Sequence, residues 1–437
     1  MTDKKILYVV HCVDTEGPLH ETLNATFKRL ESIFGIKLEA SQKNLSRIQN
    51  KEINLFGKED EVAKCFSPEL LKYNSNWTEL EDMLNNLLSV SFRRKHLDDF
   101  GNGWVYSWHC MDHIGYKDNP RHKDIGYGNI FRFYKSKLKK SGSLHDELNW
   151  HFHPLSLTKS ALHCATSYLN SYDVLLQILC RRIIDNKWFP VVNRPGFHSE
   201  RPDSHAFLEQ WIPFDYANQF DEQRNDQPDI NNGRFGDWSR APKTWRGYHP
   251  SHDDYQSEGN CHRIIFRCLN VGTRIRKLKQ NHVKEAFKEA RENGSAILSF
   301  ADHDFRDMRN DINQVQKMLR NVKKEFPDVL IRYSGAEAAA KSMLNNSDDA
   351  GPKLNVVLEK NRLFIEVCNG QIFGPQPFLA IKTKNGDYYH DNLDVIEPRK
   401  KWVYTLDEQT LEVEDVEKIG IGTAGAFGGS FVSILKP

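Results

Sequence analysis

Asp14 and Glu16 stand two residues apart just after the apolar run Ile6-Leu7-Tyr8-Val9-Val10, and His151 and His153 stand two apart within Trp150-His151-Phe152-His153-Pro154. On extended chain, side chains two apart share a face. Each pair can therefore act at one point, and together they offer the mixed oxygen and nitrogen ligands that zinc and neighbouring transition metals prefer. One acid could hold a metal while the other takes a proton from water. The competing reading of the first pair is an Asx-type turn, with Asp14 binding backbone amides and Gly17-Pro18 turning the chain. For the second it is two buried, hydrogen-bonded histidines in a chain that has 18.

Two further clusters have the same character. Arg194 follows Val191-Val192-Asn193 and could orient a carboxylate through a bidentate pair, or form an ordinary interdomain ion pair. In Phe300-Ala301-Asp302-His303-Asp304, acids flank an imidazole, which could raise its pKa, fix its tautomer and let it protonate a leaving amine. The alternative is a helix-capping Asp304 beside a solvent-facing His303.

These residues need elements that bring them together. Apolar runs at 6–13, 104–110, 148–153, 191–194, 214–216, 296–300 and 329–333 read as core strands, and amphipathic runs between them read as helices, among them 162–184 and 282–291. Seven such strands predict a distorted (β/α)7-type barrel within residues 1–344. The polar clusters then fall at the carboxyl ends of strands, where barrel enzymes assemble their sites. Residues 20–100 exceed one crossover and read as a helical insertion. Residues 221–260 read as a long loop with functional contacts. The turn formers at 345–352 mark a boundary, after which short alternating runs predict a small antiparallel β-sandwich over 352–437.

Composition narrows the class. With 60 basic and 59 acidic residues in 437, no polyanion-wrapping surface is expected, and hence no nucleic-acid partner. The basic stretches 135–140 and 274–279 read as solvated helix faces. No apolar run is long enough for a membrane span, and no secretory cleavage site follows the short N-terminal apolar run. Eight cysteines without a C-x-x-C pair read as reduced core thiols, which suits the cytoplasm.

In their order the motifs resemble the NodB-like polysaccharide deacetylases, the family-four carbohydrate esterases. Val13-Asp14-Thr15-Glu16-Gly17-Pro18 is similar to that family's Thr-Phe-Asp-Asp-Gly-Pro, with Thr15 as an insertion and Glu16 in the place of the second acid. His151 matches the first histidine of His-(Ser/Thr)-x-x-His, Leu155 stands where the second would be, and His153 is the nearby substitute. Arg194-Pro195, Phe214-Asp215-Tyr216, Asp237-Trp238 and the run from Leu298 to His303-Asp304 follow in order. The resemblance spans about residues 1–340 and implies a metal-dependent hydrolase that removes an N-acetyl group from an amino sugar or sugar-containing substrate. It implies a divalent metal, with zinc expected, on Glu16, His151, His153 and an acid that could also be Asp14. Asp14 would be the base, Arg194 its partner and His303 the acid, while Tyr216, Trp238 and Asp304 are expected to contact substrate. Two other readings stand beside it. One is a metal-independent C–N hydrolase of a small non-sugar substrate, similar to allantoinase-like members. The other is an inactive carbohydrate-binding protein using loop tryptophans such as Trp211, Trp238 and Trp245.

Overall fold

The computed structural model describes residues 4–165, 167–198, 200–222, 236–344 and 351–437. Eight strands make one parallel sheet: β1 (Lys5–Thr15), β2 (Tyr106–Met111), β3 (Glu147–Phe152), β4 (Val192–Pro195), β5 (Phe214–Asn218), β6 (Ile264–Asn270), β7 (Ser295–His303) and β8 (Val329–Tyr333). Their order is β2-β3-β4-β5-β6-β7-β1-β8, and a further pairing of β1 with β2 closes the first seven strands into a barrel surrounded by helices. β1 is long enough to serve two neighbours on one edge. Its residues 5–9 pair with β8 and its residues 11–15 with β2. The ring thus closes at the carboxyl end of the strands. At the other end Ala336, Ala339 and Ala340 of the helix Ala336–Met343 join the interior cluster with Tyr8 and Val10. That helix is held by Glu147 of β3, which accepts from the amides of Glu337 and Ala338 at 2.8 and 3.0 Å.

β1 shows why the site lies where it does. Leu7, Val9 and Val13 pack against one cluster, while Tyr8, Val10 and Cys12 pack against the other. A strand buried on both faces reads as a continuous apolar run. The run breaks at Asp14, where the inward face turns polar at the barrel mouth.

One barrel strand differs from expectation. Ile264–Asn270 completes the ring, and Val329–Tyr333 lies beside it on the β1 edge. Arg267 interrupts the apolar run of β6. It is tolerated because its guanidinium stacks 4.4 Å from the Trp245 ring and donates to the carbonyls of Lys243 and Phe220. The basic stretch 135–140 lies on the helix Asn129–Ser141, but 274–279 is not helical. There the backbone turns, with Gly272 at φ 61° and Arg276 at φ 44°. Residues 223–235 fall outside the described set. Trp238, Ala241 and Tyr248 pack against Ala217 and Ile265, so the described part of the expected loop is a packed layer on the outside of the barrel.

Six helices, Leu23–Phe34, Gln42–Gln49, Glu59–Cys65, Pro68–Leu71, Trp77–Leu87 and Val90–Arg94, occupy the span read as an insertion. The first ones enclose their own core, including Phe27, Leu30, Ile48, Val62 and Phe66. Most of the expected boundary segment 345–352 lies outside the described residues. Beyond it, strands β9 (Lys353–Glu359), β10 (Arg362–Asn369), β11 (Phe378–Thr383), β12 (Tyr388–Asp391), β13 (Asp394–Glu397), β14 (Lys401–Thr405), β15 (Val416–Ala424) and β16 (Ser430–Leu435) form two antiparallel sheets, β13-β14-β10-β9 and β12-β11-β15-β16. Leu363, Ile365 and Trp402 of one sheet share a core with Leu379, Ile381 and Ile421 of the other. Among the described residues no helix is long and apolar enough to cross a membrane. Cys12, Cys65, Cys110, Cys180, Cys261 and Cys268 are buried, whereas Cys164 is half-buried and Cys368 exposed.

Candidate functional site

Inward side chains from the carboxyl ends of β1, β3, β4 and β7 meet at the barrel mouth. Asp14 is in register with His303 of β7. Its Oδ1 lies 2.8 Å from Arg194 Nε and 3.8 Å from His151 Nδ1, and its Oδ2 lies 3.7 Å from His303 Nε2. Glu16 addresses the same point, with Oε1 3.6 Å from His153 Nε2 and 4.0 Å from His303 Nε2. The Nε2 atoms of His151 and His153 are 3.0 Å apart. Ligand atoms of Glu16, His151 and His153 all lie within 4.8 Å of one another, and this buried group could hold a metal ion.

The donor set fits such an ion. His151 Nδ1 is 2.7 Å from the Arg194 carbonyl oxygen, which can only accept, so Nδ1 carries the proton and Nε2 presents a lone pair. Two ring nitrogens facing each other at 3.0 Å repel unless a proton or a cation lies between them. Burial pushes the pKa of His151 below its ordinary value and that of His153 well below it, which keeps both rings in the neutral, ligating form. Burial also holds His303 well below its ordinary value, with Arg306 and Arg194 adding to the effect, so this imidazole is neutral before any reaction.

Arg194 is fully buried and held from several sides. Nη1 donates to the Tyr216 carbonyl at 3.2 Å, while Nη2 donates to Asn270 Oδ1 at 3.3 Å and lies 3.2 Å from His198 Nδ1. Burial works against its charge, but Asp14 and its other neighbours more than offset that, and its pKa is raised. The turn that follows presses on the histidine pair. A Cβ on Gly196 would sit 2.2 Å from His153 Cδ2, so only glycine allows the ring its place. Phe197 and His198 adopt φ of 54° and 53°, strained values for side chains of this size, and the Phe197 ring packs 4.4 Å from that of His153.

The residues expected to contact substrate are elsewhere. Tyr216 is buried below the mouth and its hydroxyl donates to the Ala336 carbonyl at 2.7 Å. Trp238 is buried on the outside of the barrel and its indole nitrogen donates to the His198 carbonyl. Asp304 is fully buried and accepts from the amides of Glu16 and Gly17, at 2.8 and 3.0 Å, and from the Tyr134 hydroxyl at 2.9 Å. Burial pushes its pKa up to about 8 against the pull of these donors. It clamps the turn that carries Glu16. Leu155 is a buried apolar side chain, and Trp211 and Trp245 are buried too, which leaves no tryptophan of the three for stacking on a sugar ring.

A cavity of about 610 Å³ opens above the cluster, lined by Asp14, Glu16, His153, His198, Asn270 and His303 and by side chains absent from the sequence reading. Of these, His113 Nε2 lies 3.2 Å from the Glu16 carbonyl oxygen, and Lys123 forms an ion pair with Glu16 Oε2. Burial pushes the Lys123 pKa down to about 7, with Asp304 opposing. His113 follows β2 as His153 follows β3, and the strand-end rule that selected His153 would have selected it. Lys123 sits in irregular chain with no local pattern to mark it. No protein-family profile, curated protein or solved structure matches this chain.

Proposed function

We propose that the chain is a metal-dependent hydrolase of an amide C–N bond, removing an N-acetyl group from an amino sugar or a sugar-containing substrate. The observation that carries this reading is the division of the mouth into two parts: a Glu16-His151-His153 group, and beside it Asp14 in contact with Arg194 and near His303. A two-histidine, one-carboxylate set suits zinc, which when bound would polarise the carbonyl and lower the pKa of water to about 7. Arg194 orients Asp14 as the base that takes the water proton. His303 starts neutral, so the proton it gives to the departing nitrogen is the one it receives from Asp14 across 3.7 Å. In sum the water oxygen bonds to the acyl carbon, the C–N bond breaks and the proton ends on the amine. The resemblance of the motif order to that of NodB-like deacetylases supports the same reading.

The ion pair between Lys123 and Glu16 favours a second reading, a metal-independent C–N hydrolase in which Lys123 occupies the carboxylate. Elemental analysis with turnover of N-acetylated amino sugars separates the two. One equivalent of metal, with turnover lost on chelation and restored by zinc, is the expected result. Full turnover in chelated protein would move the assignment to the second reading. A stoichiometric metal with no turnover of any N-acetyl sugar would sink the hydrolase.

A further inference from the structure

Resting on that hydrolase reading, we infer that the substrate carries a phosphoryl group, seated between Arg121, Lys123 and Arg306 on the cleft wall beside His303. All three side chains line the cavity and converge on two rings. The Phe305 ring lies 4.9 Å from the Arg306 guanidinium, 5.8 Å from Lys123 Nζ and 6.0 Å from the Arg121 guanidinium. The Tyr73 ring lies 5.5 Å from Arg121 and 5.4 Å from Arg306. Phe305 also packs 4.9 Å from the His303 ring, so the cations stand one ring away from the reacting groups.

Their counter-charges are shared or stand off from them. Arg306 donates to the carbonyls of Leu70 and Gly272 and has no carboxylate partner among the described residues. Burial lowers its pKa, with Arg121 and Arg29 adding to the effect and Tyr73 and Asp302 opposing it. Glu21 stands behind this wall, and Arg29 takes both of its oxygens at 3.0 Å, leaving Arg121 Nε at 3.4 Å. Lys123 has Glu16, which a bound metal would claim. Three cationic side chains gathered on one wall of the cavity suit a dianion better than a single carboxylate. Planar guanidinium forks suit phosphate oxygens. The insertion gains a role here, because Arg29 and Tyr73 belong to it and its Leu70 carbonyl anchors Arg306.

Calorimetric titration of chelated, full-length protein with inorganic phosphate tests the inference without metal or turnover. Phosphate should bind, weaken with added salt, and lose at least about tenfold in affinity in Arg306→Gln and in Arg121→Gln. Arg121 is partly exposed, so the second variant stands in if the first fails to fold. Arg306→Lys, which keeps the charge without the fork, should restore only part of the affinity. Absence of phosphate binding, unchanged affinity in the glutamine variants, or acetate binding as tightly as phosphate would overturn it. Hydrolysis of N-acetyl sugars by protein that binds no phosphate would overturn this inference alone. Phosphate binding without hydrolysis would overturn only the proposed reaction.

Discussion

Two buried clusters in this molecule are built from the same residue types and differ in how tightly they are closed. On the outside of the barrel, under the helix Pro202–Trp211, Arg263 bridges Asp215 and Glu200, each at 2.7 Å, and lies 2.6 Å from His205 Nδ1. Asn193 donates to the remaining Asp215 oxygen at 2.9 Å, and none of these side chains lines the cleft. At the mouth, Asp14 has one contact of that length, to Arg194, and its other neighbours and those of Glu16 among the histidines stand 3.6 to 4.0 Å away, facing the cavity. A cluster shut off from the cleft, with its charged groups in direct contact, holds a fold together. An open one with room between its groups can admit a ligand. Composition and burial do not distinguish them; spacing and access do.

Substitutions at the two acid–arginine pairs should separate these roles most widely. Asp14→Asn is expected to lower turnover by about 10²–10⁴-fold, the usual loss for a general base. Its effect on stability should be the smaller one, since Arg194 keeps the Tyr216 carbonyl, Asn270 and the new amide oxygen as acceptors. Arg263→Met should do the reverse, costing about 3–5 kcal/mol by leaving two buried carboxylates without a cation. Denaturant unfolding beside turnover reads both. If Asp14→Asn mainly unfolds the protein, the mouth is a structural cluster and the contrast fails.

Protons offer a second way to sharpen the contrast. Two buried acids share one guanidinium in the outer cluster, and burial pushes the Glu200 pKa up to about 8. A folded-state pKa above the ordinary value of 4.5 means that the folded protein binds the extra proton between those limits. The stabilising contribution is therefore full below about 4.5 and is lost as pH rises to about 8, at no more than about 1.4 kcal/mol per pH unit. Unfolding measured at pH 6 and pH 8.5 should show this fall in the native protein and a shallower one in Glu200→Gln. Equal slopes would mean that Glu200 is ionised throughout and that Arg263 neutralises it.

Much of the barrel is written in local period. The nearly continuous apolar run of β1 announces a strand buried on both faces, and the break at Asp14 announces where its inward face turns polar. The strand-end rule brings Asp14, Glu16, His151, His153, Arg194 and His303 to one mouth because parallel strands all end on the same side. β6 was not legible, since an arginine in an apolar run looks like a break until Trp245 is seen covering it. Arg121 and Lys123 share one loop, but Arg306 joins them from another far along the chain, and nothing local encodes that meeting. Tyr216 and Trp238 carry aromatic rings suited to a ligand, but residue type does not say which way a ring points. Asp304 is a different case: side chains alternate, so with His303 facing the mouth its neighbour had to face away.

The smallest expected effect tests that last assignment. Tyr134 is buried, and its hydroxyl is one of three donors holding Asp304 while the other two are the amides of Glu16 and Gly17. If Asp304 only clamps the turn, Tyr134→Phe removes one hydrogen bond, leaves both amide contacts and keeps the ring in its packing. The cost should be about 1–2 kcal/mol of stability. Turnover should fall less than tenfold with KM nearly unchanged, because Glu16 stays where the amides hold it. A loss of turnover approaching that of Asp14→Asn, or a large rise in KM, would place Asp304 among the groups that touch substrate, as the resemblance to NodB-like deacetylases implies.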